Sequence, residues 1–424
     1  MFKNIPLYRM LLVMMAASFV VTSCDKKDDG EDKDPETETV VLSGRMSENR
    51  ELSADTIYEL AGYVVVDSGV TLTINAGTIV KGREGAGSAA SALIVARGAK
   101  INANGTSAKP IVFTSTLDNI TVGQKFGTNL TKANSGLWGG LIVLGSAKVS
   151  TTNGDTKGQI EGIPAEYTFG LYGGTNDADN SGSITYVSIR HSGTELEPNQ
   201  ELQGLTLGGV GNGTVINHVE IFASSDDGIE IFGGSVNLSD VIITYCEDDG
   251  LDFDQNYSGT VTNFLVLHEG ASAGNSGLEI DGPEGTTYTT GKFTITNGTV
   301  KSLGGSGRAA TLKSAAQGTI NNVAFVGFTS WINVEGGAAV THFIDGDLVL
   351  NNCQVVKSSL TGAIKPVKVD GTGASTLSLS DSLAVIAAFE LTGNTNTAVT
   401  TPTVGATQSA FATWTWSSNA NLLD

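Results

Sequence analysis

The sequence predicts an all-β fold, a right-handed parallel β-helix built as a single-stranded solenoid, and three observations carry that expectation. The first is a unit that returns at a fixed interval: Ile216-Asn217-His218-Val219-Glu220-Ile221 is followed 22 residues on by Leu238-Ser239-Asp240-Val241-Ile242-Ile243. The same offset carries Asp226-Asp227-Gly228-Ile229-Glu230-Ile231 onto Asp248-Asp249-Gly250-Leu251-Asp252-Phe253, and a third copy leads from Val261 to Ser276-Gly277-Leu278-Glu279-Ile280-Asp281. Self-similarity at such a period marks a stacked-repeat architecture. The second observation is the third position of the unit, which reads Tyr186, His218, Asp240, Asn263, Asn297, Asn322 and Asn352 at intervals of 22 to 34 residues. Short polar side chains there satisfy turn backbone and can bond to the copies above and below. The third is composition, with 54 glycines and frequent Thr, Ser, Asn, Val and Ile, which suits strands with tight turns rather than helix bundles. A repeat this short cannot bury a face alone, whereas coils stacked ~4.8 Å apart share one core. Parallel crossovers are almost always right-handed, which sets the expected hand.

In chain order, residues 1–23 read as a secretory signal peptide. Lys3 and Arg9 precede an apolar run from Met10 to Val21, and small residues follow it. The run is too short to be read first as a membrane-spanning helix. Residues 24–41 form an acidic tether, where Asp25 to Glu36 offers no apolar residue to bury and is expected to stay solvated. The β-helix is expected over 42–380. Leu42 to Gly62 is its entry segment, and regular alternation begins with Val70-Thr71-Leu72-Thr73-Ile74. Asp118 to Gly136 has no apolar period and reads as an excursion. Arg190 to Leu202, Glu269 to Ser276 and Val334 to Gly346 mark coils that carry loops, where binding usually lives. Residues 381–424 are expected to cap the stack, with a short helix at Leu383 to Phe389 and a closing strand at Phe411 to Trp416.

Charge and cysteines narrow the function. Forty-four acidic residues against 24 basic ones give a net charge of −20, which argues against nucleic-acid binding and leaves room for a cationic partner or calcium. Cys246 and Cys353 fall four rungs apart, on the order of 19 Å, too far for a disulfide, so both are expected to be reduced.

Candidate chemistry gathers on the acidic rungs 226–281. In Ile229-Glu230-Ile231 the glutamate points out if the isoleucines point in, and the repeat then places Asp252 and Glu279 beside it. Asp254 with Asp281, Asp226 with Asp248, and Asp227 with Asp249 stack likewise. Carboxylates ~5 Å apart repel each other, which raises a pKa or recruits a cation. Three readings stand. Asp252, Asp254, Glu279 and Asp281 could ligate calcium as a metal site. A pair of acids could act on a glycosidic bond, which needs two carboxylates ~5 to 9 Å apart. The plain alternative is that Asp-Gly pairs make turns while outward acids keep the sheet soluble. Arg190 and Arg308 are available as bases, but no spacing selects either. His191, His218, His268 and His342 form no metal or nucleophile pattern, and His218 reads as a turn residue. Trp138, Trp331, Trp414 and Trp416 could stack on sugars, though packing is the commoner role.

Resemblances add to this reading. Val21-Thr22-Ser23-Cys24 resembles a bacterial lipobox, which implies that Cys24 is the lipidated first residue of the mature chain. The acidic run behind it is similar to that of surface-displayed lipoproteins of Bacteroidota-type bacteria. Leu72-Thr73-Ile74-Asn75-Ala76-Gly77-Thr78, Trp138-Gly139-Gly140-Leu141-Ile142-Val143-Leu144-Gly145 and Leu205-Thr206-Leu207-Gly208-Gly209-Val210-Gly211 are similar to phrases of uncharacterised β-helix lipoproteins of the same bacteria. That similarity implies a lipid anchor in the outer membrane and supplies no activity. Ser225-Asp226-Asp227-Gly228 and Glu247-Asp248-Asp249-Gly250 resemble the first two motifs of polygalacturonase-like glycoside hydrolases, a family with the pectin lyase-like fold. On that resemblance Asp227, Asp248 and Asp249 would be the catalytic acids. It departs at the third coil, where Gly-His-Gly is missing, and Arg-Ile-Lys finds only Thr311-Leu312-Lys313. The expectation is a cell-surface lipoprotein of the outer membrane that binds a carbohydrate or a neighbouring outer-membrane protein without catalysis. The alternative is a polysaccharide hydrolase or lyase acting in the acidic rungs.

Overall fold

A computed structural model describes residues 38–152, 154, 156–197, 200–269, 275–370, 373–375, 377–390 and 394–423. The signal peptide, Cys24 and the tether as far as residue 37 lie outside the described residues. Strands take 42% of the chain and helix 9%, and parallel pairing joins 25 strands, which makes it an all-β parallel β-helix as the repeat predicts.

Each coil lays down strand on three faces. On the first, Arg50–Leu52 pairs with Thr71–Ile74, that with Lys100–Asn104, and that with the start of Gly182–Arg190. The second continues those same long strands past a bend, so that Val187 lies over Val219, Val219 over Val241, and Val241 over Phe264. The third runs through Ala92–Val95, Gly140–Leu144, Leu205–Gly208, Ile229–Phe232, Leu251–Asp254, Ser276–Ile280 and Arg308–Leu312. Every pair in these columns is parallel, and the 22-residue offset read in the sequence is the observed register, with Ile216 on Leu238 and Glu230 on Asp252.

The bend between the first two faces is made by the repeat's third position. Tyr186, His218, Asp240, Asn263, Asn297, Asn322 and Asn352 all adopt a left-handed backbone, with φ between 50° and 61°. That conformation penalises most L-residues by ~1–2 kcal/mol and is entered most readily by Asn, Asp and His. The side chains form a ladder: Asn352 donates to Asn322 Oδ1 at 2.8 Å, Asn322 donates to Asn297, and His218 stacks on Tyr186 at 4.1 Å. His218 is thus a corner residue, as expected.

Inside, Val187, Val219, Val241, Phe264, Val323 and Cys353 are fully buried in one continuous core. Gly298 falls in the same column, and a side chain there would overlap the Phe264 ring. The large ring on one rung is accommodated by the missing side chain on the next. Cys246 and Cys353 are free and buried.

Two boundaries differ from the sequence expectation. Pairing begins at Glu38 on Thr56, so the end of the expected tether and the whole of the expected entry segment already form coils. Thr39, Val40 and Val41 continue the strand-favouring run upstream. At the other end, the helix Leu379–Glu390 covers the core with Val385 and Phe389, as expected, but Phe411 to Trp416 is no strand. Gln408–Phe411 is a 3-10 turn and Trp416–Asn419 a short helix whose first turn is capped by Thr415 Oγ1 accepting from Ser418 N at 3.0 Å. This C-terminal strap lies along the outside of the second face, Phe411 packing on Ile242, Leu265 and Leu267. The loop coils carry structure of their own: an antiparallel hairpin between Glu195–Glu197 and Gln200–Glu201, and the helix Gly337–Asp345.

Candidate functional site

On the third face inward Leu205, Ile229, Leu251 and Leu278 alternate with outward residues, and parallel register stacks Thr206, Glu230, Asp252, Glu279, Thr311 and Asn333 in one column. Asp254 lies beside Phe232 one step along, and Asp281 follows Phe253, to whose carbonyl its N–H donates at 2.7 Å. The repeat therefore brings together the carboxylates that the sequence expected as neighbours.

Their surroundings were not expected. Asp227 is 6% exposed, Glu230 5% and Asp249 3%, so these acids do not serve as a solubilising surface. An excursion over residues 145–181 folds back onto the face. Its Val149, Ile160, Ile163 and Tyr172 cluster with Ile142, Leu144 and Phe232, and Tyr172 donates to Gln255 at 2.8 Å. Farther down, Thr152 Oγ1 donates to Glu284 at 3.3 Å. Glu161, Glu201 and Glu284, none of them singled out in the sequence, join the same acidic field. Glu161 comes from the excursion, Glu201 from the hairpin strand Gln200–Glu201, and Glu284 from the turn after Ser276–Ile280.

Burial, then mutual repulsion, sets the electrostatics. Burial followed by Asp248, Glu201 and Glu161 lifts the Asp226 carboxyl to about 7. Burial lifts Asp249 to about 11, with Glu279 and Asp227 adding to it. Asp227, Glu230, Asp252 and Asp254 are pushed well above the ordinary carboxylate range, by burial first and neighbouring carboxylates second. Glu279 is the exception: burial pushes it up, but the hydrogen bond from Asp249 and the pairing with Lys313 outweigh that and hold it low. Lys313 pairs with Glu279 and reaches Asp281 at 3.3 Å. Burial works against its charge, yet Asp281, Glu279 and Asp252 raise its pKa on balance.

The three candidate catalytic acids are not equivalent. Asp227 Oδ1 accepts from Asp249 N at 2.8 Å, and Asp249 Oδ1 accepts from Ser276 N, so each carboxyl holds the turn of the next coil. Asp248 is half-buried, and burial first and Glu279 second push its carboxyl up, with His268 and Lys313 opposing them. Of the four carboxylates expected to hold calcium, Glu279 and Asp281 are engaged by Lys313. Among the described residues, the carboxylate oxygens that converge in threes within 4.8 Å of one another belong to Asp226, Asp227 and Asp248, and to Asp227, Glu230 and Asp252.

The other candidates lie elsewhere. Arg190 is buried on the second face, its Nε donating to Ser188 Oγ at 2.7 Å and its head against Phe126 and Trp416. Arg308 sits on the third face, 3.6 Å from Glu335. Trp138 and Trp414 are buried packing residues, and Trp331 carries Lys357 over its ring. His191, His268 and His342 each meet a backbone carbonyl through a ring nitrogen.

Where the covered acids end, the face opens into a cleft of about 560 Å³ lined by Thr152, Glu284, Lys313, Glu335 and the turn Gly336 to Ala338. Another, of about 410 Å³, lies by Lys109, Pro110 and Lys125 and adjoins no cluster of acids. Among the described residues no helix is long and apolar enough to cross a membrane.

A family model described as a pectate-lyase-like beta helix domain matches residues 44–418. No curated protein and no solved structure matches the chain. A repeat whose observed register is parallel throughout, spanned almost end to end by one family description, fixes the relationship: the chain belongs to the pectate-lyase-like β-helix domain family.

Proposed function

We propose that this protein is a lipid-anchored β-helix displayed on the outer membrane, which binds a glycan in the third-face cleft and does not cleave it. The observation that carries this reading is the cleft itself. It is open, it is walled by the rigid stack on one side and by the helix Gly337–Asp345 on another, and it presents Lys313, Glu284, Glu335 and Thr152 around backbone glycines. A few convergent polar groups in a preformed concavity are what sugar hydroxyls require. The reading without cleavage is supported by Asp227 and Asp249, whose carboxyls each accept a backbone N–H of the next coil. Anchorage and surface display rest on the Cys24 tetrad and the acidic run behind it.

A second reading, hydrolysis or elimination on a polysaccharide, has one observation in its favour. Burial lifts Asp226 to about 7, where about half of it keeps its proton at neutral pH, and Asp249 to about 11, where it stays protonated, as a general acid must be. Incubation of the full chain with acidic and neutral polysaccharides, with and without calcium, separates the two. Binding without new chain ends supports the proposal. Product release that disappears in Asp249→Asn refutes it.

A further inference from the structure

The acidic column holds a feature that glycan binding does not use. Asp227, Glu230 and Asp252 come from adjacent coils, and one carboxylate oxygen from each lies within 4.8 Å of the others. Calcium–oxygen bonds run about 2.3–2.6 Å, so oxygens at up to twice that separation can share a single ion. Acidic clusters are common without one, and a second observation distinguishes this case. Glu230 is 95% removed from solvent, and its Oε2 is buried with no hydrogen-bond partner; Asp252 Oδ1 is in the same condition. Proton uptake alone does not resolve this, because a neutral carboxyl still has an O–H to donate and an oxygen to satisfy. One small cation meets both needs, since it neutralises the repulsion and coordinates the orphaned oxygens. The nearby lysine is not free to do so, because Lys313 is held by Glu279 and Asp281.

We infer that Asp227, Glu230 and Asp252 form a binding site for one calcium ion that staples adjacent coils under the 145–181 excursion. All three ligands are hard oxygens, which favours calcium over softer metals. Asp226 and Asp248 converge on Asp227 in a second, adjoining group of carboxylates. The ion's role is structural: it lies in the covered part of the face, not in the open cleft, and it stands apart from the glycan reading.

The test needs no glycan. The full chain is stripped with a chelator and dialysed against about 1 mM calcium, the upper end for extracellular calcium modules. Bound metal is then measured by elemental analysis and the unfolding midpoint by calorimetry. The expected result is about one retained calcium per chain and a midpoint raised by about 4 °C. Glu230→Gln is expected to weaken calcium binding at least ~10-fold, from the loss of one charged ligand. If that variant does not fold, Asp252→Asn, at a partly exposed position, carries the same expectation. Wild-type protein that retains no calcium and shows no midpoint shift overturns the inference. So does a foldable variant that binds calcium as tightly as the wild type.

Discussion

Removing the Glu220 carboxylate should release the C-terminal strap while leaving the coils wound. Glu220 is fully buried on the outside of the second face. It accepts from Ser188 Oγ at 2.6 Å, from Trp416 N and Ser417 N at 2.8 Å each, and from Ser417 Oγ at 2.9 Å. Two of those donors are the first N–H groups of the short helix Trp416–Asn419, which have no partner within the helix itself. Burial pushes the neighbouring Arg190 guanidinium down, and Glu220 is the foremost group opposing that push. Glu220→Ala therefore strands the Trp416 and Ser417 N–H donors and leaves Asp118 as the remaining acid opposing the push on Arg190. Hydrogen bonds to a charged group are worth about 1.5–3 kcal/mol each and do not add, and breaking a buried charged pair costs about 3–5 kcal/mol. The strap can escape by peeling, at the expense of exposing Phe411 and Trp414, so the loss should appear there first. Hydrogen exchange should show the Trp416 and Ser417 amides losing protection by roughly 100-fold or more, equivalent to about 2.7 kcal/mol, while strand amides in Leu251–Asp254 hold theirs. Unchanged exchange at Trp416 and Ser417 would refute the reasoning, since these are the donors it leaves without acceptors.

Three further perturbations test the frame around the site. Gly298→Val should destabilise by about 3 kcal/mol or more through overlap with Phe264, and Phe264→Val should recover most of that in the double variant; denaturant melts of the four proteins give the coupling. Asn322→Ala should cost about 1–2 kcal/mol in the same assay, and Asn322→Gly less, because the position sits at φ 61° and glycine enters that region freely. Burial holds His191 down from 6.5 to about 4, so it is neutral in the folded chain, while the unfolded chain takes up a proton as pH falls through 6.5. Its stabilisation is complete above pH 6.5 and is lost towards pH 4, up to ~3 kcal/mol. His191→Asn, which suits the φ of 59°, should remove that part of the slope in melts run across this range, and the buried acids respond alike in both proteins.

The register was legible because it is written in identities: a recurring corner position, Asn in four of its seven copies, and alternation in Ile229-Glu230-Ile231 fix which side chain faces which way, and the observed pairing of Glu230 with Asp252, and of Asp252 with Glu279, follows. The covering of those acids was not legible. Residues 145–181 break the period, and their Tyr172 and Val149 find partners only after the coils beneath them exist. The same limit hid Glu161, which reaches the acids through tertiary folding alone. Lys313 was in view only as a mismatch to a hydrolase motif; its place beside Glu279 depends on the third-face register from Ser276–Ile280 to Arg308–Leu312. Phe411 to Trp416 alternates like a strand, yet its aromatic residues pack outside the second face instead, Phe411 on Ile242 and Leu265, Trp414 on Tyr186 and Trp416 on Phe222.

Binding in the third-face cleft is the claim on which the functional account turns, and calorimetric titration of the full chain with neutral and acidic oligosaccharides tests it most directly. Ala338 lies exposed at the cleft, so Ala338→Trp places a bulky ring in it without replacing any of the buried acids. The account predicts saturable binding of at least one glycan, with no new chain ends, abolished by Ala338→Trp. Binding that survives Ala338→Trp, or none by the wild-type chain to any glycan, would contradict it.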